Sequence, residues 1–487
     1  MKLCLSKQIK AFLMISAFFL VCSCSKKQNE TDAPTNPPDS GNGTTTASDI
    51  SLWLTLPDKS FLLSKQNTSI NFVTTSNGNP VISVDTTQQF QEIDGFGFAL
   101  TGGSATLINQ LPSSLRTAVL KELFSTDSTA IGISYLRISI GASDLSSEVF
   151  TYDDLAAGQT DDNLQLFSLA REQQDLIPVL KDILKINPAI KILATPWTAP
   201  SWMKTNASSR GGSLKPEYYD VYARYFVKYI QGMQEEGISI DAITPQNEPL
   251  NPDNNPSMVM SASEQASFIK NNLGPAFRSA HLSTKIIIYD HNADTPTYPM
   301  SILADANANP YIDGSAFHLY AGNISALTLL KTAYPEKNLY FTEQYTAGTG
   351  SFSGDLAWHI NNVIIGATRN WSRNVLEWNL ASDPNLGPHT LGGCTSCLGA
   401  LTIDQSVTRN VSYYIIAHAS KFVKPGSIRI GSTIPDNLQN VAFKTPEGKK
   451  ILIVINNGSY AAYFNIGFNG KYAATSLPAG AVGTYVW

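Results

Sequence analysis

Two glutamates, Glu248 in ITPQNEPL and Glu343 in LYFTEQY, stand where β-branched and aromatic runs break off. In a parallel barrel, that is where a strand hands its chain to a surface loop. Two carboxyl groups delivered to one crevice from separate strand ends can cleave a glycosidic bond. One protonates the leaving oxygen while the other attacks the anomeric carbon or activates water. With the carboxyl groups ~5 Å apart the reaction retains anomeric configuration, with Glu343 as nucleophile and Glu248 as acid and then base. Close carboxylates resist ionising together, so the charge on Glu343 is expected to keep Glu248 protonated near neutral pH.

The neighbouring residue types fit a sugar site. Asn247 directly precedes Glu248, and an amide there can hydrogen-bond the 2-hydroxyl of the sugar being cleaved. Arg137, in SYLRISI, is expected to point into the barrel, where it either holds Glu343 ionised or forms a structural salt bridge. His318 and Tyr320 end the strand before the one carrying Glu343; the histidine touches the catalytic shell or is a satisfied polar residue. Trp197, Trp202 and Trp378 fall at or just beyond strand ends. Indole faces stack on the apolar faces of sugar rings, and Trp197 and Trp378 fit that use better than Trp202.

The elements that must position these groups are legible as alternation. From Asp94 onward, the runs GFGFAL, SYLRISI, KILATPW, DAITPQN, KIIIYD, GSAFHLY, NLYFTEQ and NVLEWNL alternate with helical segments. Leu176, Val179, Leu180, Ile183 and Leu184 fall at helical spacing, as do Tyr222, Tyr225, Phe226, Tyr229, Ile230 and Met233. Eight such units predict an α/β fold, a closed (β/α)8 barrel over residues 93–424. Short strands without helices occupy 50–88 (SLWLTL, SFLLS, INFVTT, VISVD) and return after Lys424, with a hairpin signal at Asn457-Gly458. Neither flank suffices alone, so 50–92 and 425–487 are expected to pair into one β-sandwich.

At 487 residues the chain is long enough for these two bodies. A net charge of −5 gives no cationic field for nucleic acid, which favours an uncharged polymer as partner. Residues 1–23 carry Lys2, Lys7 and Lys10, then the apolar run AFLMISAFFLV, too short for a membrane span, which needs roughly 20 residues. The order Val21-Cys22-Ser23-Cys24 resembles a bacterial lipobox, so the expectation is a lipoprotein signal peptide with lipidated Cys24 as the first mature residue; an ordinary secretory signal is the alternative. Residues 24–49, polar and rich in Pro, Thr, Asn and Gly, read as a flexible tether. The membrane would then be reached through the lipid alone, on the outer membrane of a Gram-negative cell. Cys394 and Cys397, in the Gly-rich GGCTSC, suit a local disulfide or free thiols better than zinc, which wants four ligands. Oligomeric state has no sequence signal.

These residues resemble glycoside hydrolase family 30, in its glucocerebrosidase-like branch. The resemblance runs from about Asp94 to Gly431 and is carried by DGFGFALTGGSA, YLRISIGASDLS, ILATPWTAPSWMKTN, GGSLKPEYYDVYARYFVKYI, ITPQNEP, FHLY, FTEQ, EWNLASDPNLGP and SKFVKPGSIRIGS. It implies a (β/α)8 barrel with a side β-sandwich, retaining chemistry with Glu248 as acid/base and Glu343 as nucleophile, and no metal or organic cofactor. It further implies that Trp197, Asn247, Tyr320 and Trp378 line the −1 sugar subsite and that Arg137 and His318 lie near the catalytic pair. Exo-acting members resemble the first strand but follow its threonine with an aspartate that grips the outer hydroxyls of a terminal glucose. Here Thr101 is followed by Gly102 and Gly103. That form is similar to the β-1,6-glucanase group, and the missing carboxylate is expected to open a path for a sugar attached through O6. The sequence therefore points to an endo-acting β-1,6-glucanase. An exo-acting β-glucosidase or glucosylceramidase-like hydrolase is the alternative, followed by a non-catalytic surface glycan-binding lipoprotein; xylan and galactan are less favoured substrates.

Overall fold

In the computed structural model, residues 48–127 and 129–487 are described. The expected signal peptide, Cys24 and all but the last two residues of the tether lie outside them. Those two are already docked on the body: the Ser48 hydroxyl donates to the Ile50 carbonyl at 2.7 Å, and the Asp49 N–H to Asn71 Oδ1 at 2.9 Å.

Eight parallel strands close into a barrel in chain order: β1 (Gly95–Ala99), β2 (Tyr135–Ser139), β3 (Lys191–Thr195), β4 (Ala242–Ile243), β5 (Lys285–Ala293), β6 (Ile312–Gly322), β7 (Asn338–Glu343) and β8 (Ser372–Asn379). All eight expected runs contribute a strand. Inward side chains recur every second residue. One such layer is apolar: Tyr135, Leu193, Ala242, Ile287, Ala316, Tyr340 and Leu376 form a single buried cluster. Two residues further along six of these strands come Arg137, Thr195, Thr244, His318, Thr342 and Trp378, all buried. The barrel thus plugs its own floor with hydrocarbon and puts chemistry on the next storey.

Outer helices shield the strands. In Leu176–Ile186 the residues Leu176, Val179, Leu180 and Ile183 form one buried face, and Asn187 before Pro188 ends the helix. Each such side chain contributes about 1.5–3 kcal/mol when fully buried. Helix Tyr219–Glu235 does the same with the aromatic stripe Tyr222, Tyr225, Phe226 and Tyr229.

Both ends of the chain build the second body. Its sheet order is Ser64–Lys65, Ser51–Thr55, Val482–Val486, Lys450–Asn456, Leu438–Lys444, Ile428–Ser432, Val81–Glu92, Ala462–Phe468 and Lys471–Leu477. Leu52, Leu54, Ile82, Val84, Ile430, Leu452, Val454, Phe464 and Tyr485 share its core.

Two local expectations are corrected. INFVTT makes only isolated bridges, at Ile70 and Val73. Asn457-Gly458 is not a hairpin, because Lys450–Asn456 pairs with Leu438–Lys444 and Val482–Val486, whereas Ala462–Phe468 pairs with Lys471–Leu477 and Val81–Glu92. The Asn456 side chain explains the crossing: it accepts from the Gly458 N–H at 2.9 Å and donates to the Tyr460 and Leu477 carbonyls, fixing a loop between strands. The hairpin is at Asn469-Gly470, both at positive φ (49° and 74°), the conformation of a type I′ turn.

Candidate active site

Glu343 is the last residue of β7, paired with His318 of β6. Glu248 lies five residues past the short β4, yet the ladder continues: Asn247 N–H donates to the Pro196 carbonyl at 2.9 Å and Glu248 N–H to the Asp290 carbonyl at 3.0 Å. Glu248 itself has φ +43°, a strained conformation for a side-chain-bearing residue that turns its carboxyl over the barrel mouth. An oxygen of Glu248, one of Glu343 and a nitrogen of His318 lie within 4.8 Å of one another.

Arg137 ties the site together. Its Nη1 is ion-paired to Glu343 Oε2, while Nη2 donates to Asn247 Oδ1 at 2.7 Å and to Asp290 Oδ2 at 2.8 Å. The guanidinium carbon sits 4.9 Å from the Trp197 ring centre and 5.5 Å from that of Trp378. These indoles stack on each other, centroids 5.4 Å apart, so part of the broad surface expected to meet sugar is taken up between them. Both nevertheless line the cleft, and Trp197 Nε1 is buried without a hydrogen-bond partner among the described residues. Trp202 donates to the Asp153 carbonyl at 3.0 Å and abuts Tyr218 edge-on, a packing role. Tyr320, at the rim, donates its hydroxyl to Glu343 Oε1 at 2.9 Å. His318 bridges Glu248 Oε1 and Asp290 Oδ1, each at 3.1 Å.

Electrostatics redistribute the proton expected on Glu248. Burial pushes the Glu248 carboxyl up, but the hydrogen bond and charge of His318, helped by His291 and the Asn251 amide, outweigh it and hold it at about 2. Burial raises Glu343 above the usual carboxyl range against the charges of His318 and Arg137, and Glu248 adds to the rise. Burial lowers His318, yet the charge of Glu343 and the bonds to Asp290 and Glu248 carry it up to about 9. These directions put the mobile proton on His318 and not on Glu248. The expectation counted two carboxylates; Arg137 and His318 bridge three, with Asp290 the third.

Asp290, His291 and Asp144 were not foreseen. Register slips between Tyr289 and His291, and Tyr289 and Asp290 have φ of +76° and +60°; this irregularity aims Asp290 into the polar layer, where Thr244 and Thr342 also donate to it. No periodicity reports a bulge. Asp144, inside the quoted YLRISIGASDLS, lines the cleft and is buried. Burial, then the charges of Glu343 and Glu248, push its carboxyl up to about 7.

The space at Gly102 opens on a groove of about 300 Å³ shared with Ser146, Phe150 and Arg171, and not on the cleft that holds Glu248 and Glu343. A Cβ there would lie 2.8 Å from Ser146 Oγ, and one at Gly103 would lie 2.7 Å from the Leu145 carbonyl oxygen. The glycines let the helix Gly102–Gln110 approach the 143–146 segment closely, and the carboxylate facing the cleft comes from that segment, as Asp144.

The cleft has a volume of about 430 Å³ and is also walled by Leu250, Asn251, His291, Asn292, Tyr345 and the Cys394–Cys397 disulfide. Glu248, His318 and Glu343 are the described residues that could gather around a cation. Both His318 nitrogens are already engaged by carboxylates and Glu343 is already neutralised by Arg137, so the set is organised by its own ion pairs.

Comparisons with known proteins agree with this geometry. Residues 93–423 match the glycosyl hydrolase family 30 TIM-barrel domain and residues 426–485 the family 30 beta sandwich domain. An endo-1,6-beta-D-glucanase of Neurospora crassa is 36% identical over 403 residues, 78% of this chain and 82% of that protein. A putative glucosylceramidase 1 of Caenorhabditis elegans is 30% identical, over 78% and 76% of the two chains. The solved structure of the endo-beta1,6-glucanase BT3312 superposes with a TM-score of 0.84 at 37% identity, covering 91% of this chain and 99% of that one. The barrel with its paired carboxyls and the sandwich assembled from both termini are those of a glycoside hydrolase, and the chain belongs to glycosyl hydrolase family 30.

Proposed function

We propose that the chain is a retaining, endo-acting β-1,6-glucanase that hydrolyses β-1,6-glucan by double displacement. The observation that carries this reading is that an oxygen of Glu248 and one of Glu343 lie within 4.8 Å, which suits a covalent intermediate, since inverting enzymes hold their carboxyl groups roughly 6.5–9.5 Å apart for an intervening water. The linkage is supported by the 36% and 37% identity to the two endo-1,6-glucanases.

Glu343 Oε2 is committed to Arg137, which leaves Oε1, steadied by the Tyr320 hydroxyl, to attack the anomeric carbon. As the glycosidic C–O bond breaks, the leaving oxygen takes a proton from Glu248. That proton arrives from His318 Nδ1 across the 3.1 Å contact to Glu248 Oε1. Bound sugar excludes water from Glu248 and favours its neutral form, so substrate entry drives the transfer. Glu248, left as carboxylate, then removes a proton from water, which displaces Glu343 from the sugar and restores the starting configuration. Asn247 has its carbonyl oxygen on Arg137, which turns the amide nitrogen toward the 2-hydroxyl, where positive charge develops nearby. Trp197, Trp378 and Tyr320 shape the −1 subsite around it.

The same reading places the enzyme on a membrane surface through acylated Cys24, supported by the lipobox-like order Val21 to Cys24. Mass measurement of the exported chain should find the diacylglyceryl group, and Cys24→Ala should release the enzyme into the soluble fraction.

Digestion of linear β-1,6-glucan tests the activity. Early oligosaccharides, whose new reducing ends are β by NMR, are expected. Glucose as the sole initial product would favour the exo reading, and α-configured ends would overturn the double displacement.

A further inference from the structure

The Cys394–Cys397 disulfide borders the cleft, and the glucanase mechanism makes no use of it. Cys397 is buried against Ala99, Leu145, Trp197 and Trp378, with Cys394 and Tyr345 packed on the same cluster. One residue of that wall reaches a chemical group: the Cys394 N–H donates to Asp144 Oδ2 at 3.2 Å. Asp144 has no ion-pair partner among the described residues. It faces the charges of Glu343 and Glu248 across the cleft.

The wall itself is held on three sides. Thr390 N–H donates to the Asp144 carbonyl at 2.8 Å, the Asn255 amide donates to the Leu391 carbonyl at 2.9 Å, and Gly348 N–H donates to the Ser396 carbonyl at 2.8 Å. Ala347 pairs with Cys397 in a two-residue ladder. Between these anchors lie Gly392, at φ +88°, and Gly393, whose Cβ would lie 2.3 Å from the Asp144 carbonyl oxygen. The backbone of the wall is thus pressed onto the Asp144 segment by residues that by themselves hold a conformation poorly. A cross-link three residues apart closes a very short loop and constrains the unfolded chain little. Its effect is local, on the residues it joins.

We propose that the Cys394–Cys397 disulfide is a positioning element for glucan binding: it holds the 390–398 wall so that the Cys394 N–H aims the Asp144 carboxylate at the sugar in the cleft. Asp144 meets the sugar hydroxyls, and the cysteines act through it. Without the cross-link, the glycine-rich wall moves off Asp144. The carboxyl then loses the stronger of the two backbone donors, Cys394 N–H and its own, that counter burial and its two anionic neighbours, and takes up a proton at higher pH.

The inference rests on the glucanase reading, so wild-type hydrolysis of linear β-1,6-gluco-oligosaccharides is measured first; no hydrolysis would fail that reading and not this one. The wild type is then compared with Cys394→Ser/Cys397→Ser and with wild type treated with dithiothreitol. In that treatment the two thiols of the reagent close to a cyclic disulfide while Cys394 and Cys397 each gain a hydrogen. We expect KM to rise about tenfold or more, in line with the loss of a hydrogen bond to a charged group. The melting temperature should hold within a few degrees, the acid limb of kcat/KM should move to higher pH, and reoxidation should restore the reduced wild type. In an Asp144→Asn background the double serine change should add little, since both act on one contact. Wild-type KM and pH profile in the double-serine protein, or full additivity with Asp144→Asn, would overturn the proposal.

Discussion

At the scale of single residues, one guanidinium and one imidazole distribute charge among three buried carboxylates, two of which are the proposed catalytic pair. Glu248→Gln removes the proton donor without changing shape and should lower kcat by about 10²- to 10⁴-fold on glucan. Glu343→Gln removes the attacking oxygen anion and should cost more, on the order of 10⁴-fold or above. Calorimetry should show both variants still binding gentio-oligosaccharides; a wild-type rate in either would remove the mechanism. The pH profile has a definite sign. Glu343 must be ionised, and its carboxyl is raised, so kcat/KM should fall on the acid side through a value above 4.5. His318 must carry the proton, so kcat/KM should also fall as pH passes about 9. The fold shares the second dependence: a histidine raised from 6.5 contributes its full stabilisation below 6.5 and loses it as pH rises through about 9. His318→Gln should therefore abolish the alkaline limb in a protein of much lower activity. An alkaline limb unchanged by that substitution would assign it to another group.

At the scale of elements, what was legible followed from strict periods. The β1 to β8 runs alternate with amphipathic helices, and a period of two stacks Arg137 above Tyr135 and His318 above Ala316, so six of the residues in the polar layer could be placed from the strand pattern alone. Positions that break the period were not legible from it. Asp290 reaches the layer through a bulge with two residues at positive φ and went unread, whereas Glu248, in a turn beyond a two-residue strand, was read from its Asn-Glu-Pro motif and not from the period. The hairpin was misplaced because Asn-Gly occurs twice after Lys424, at 457 and at 469, and which one turns back depends on strand partners far away in the chain. Gly102 shows what a local substitution pattern omits when the neighbours are unseen: Ser146 Oγ would lie 2.8 Å from a Cβ there, and the groove the two share is not the one that holds the paired carboxyls. Gly102→Asp should therefore turn aside the Ser146 hydroxyl, two residues from Asp144, and lower activity on polymer and on an aryl glucoside alike, with a small fall in melting temperature. Loss confined to the polymer would restore the open-path reading.

At the scale of the whole molecule, the chemistry lies between Arg137 and Trp378, while the sandwich is closed by residues before the barrel begins. Ser51–Thr55 runs between Ser64–Lys65 and Val482–Val486, and Val81–Glu92 runs between Ile428–Ser432 and Ala462–Phe468. The match to the sandwich domain at 426–485 includes neither of these N-terminal strands. Removing residues before Ile93 would strip Ile50, Leu52, Leu54, Ile82 and Val84 from the sandwich core. At about 1.5–3 kcal/mol for each buried side chain, the loss is on the order of 10 kcal/mol, as large as the whole stability of a typical domain. It would also expose the edge of Val482–Val486 and both edges left by Val81–Glu92 to pairing with other chains. A chain beginning at Ser48 should keep the melting temperature and kcat of the full-length enzyme, whereas one beginning at Ile93 should aggregate on expression, although every proposed catalytic residue is present. A soluble 93–487 protein with native circular dichroism and full turnover would show that the barrel stands without its sandwich, and that the joining of the two chain ends serves something other than holding the catalytic body together.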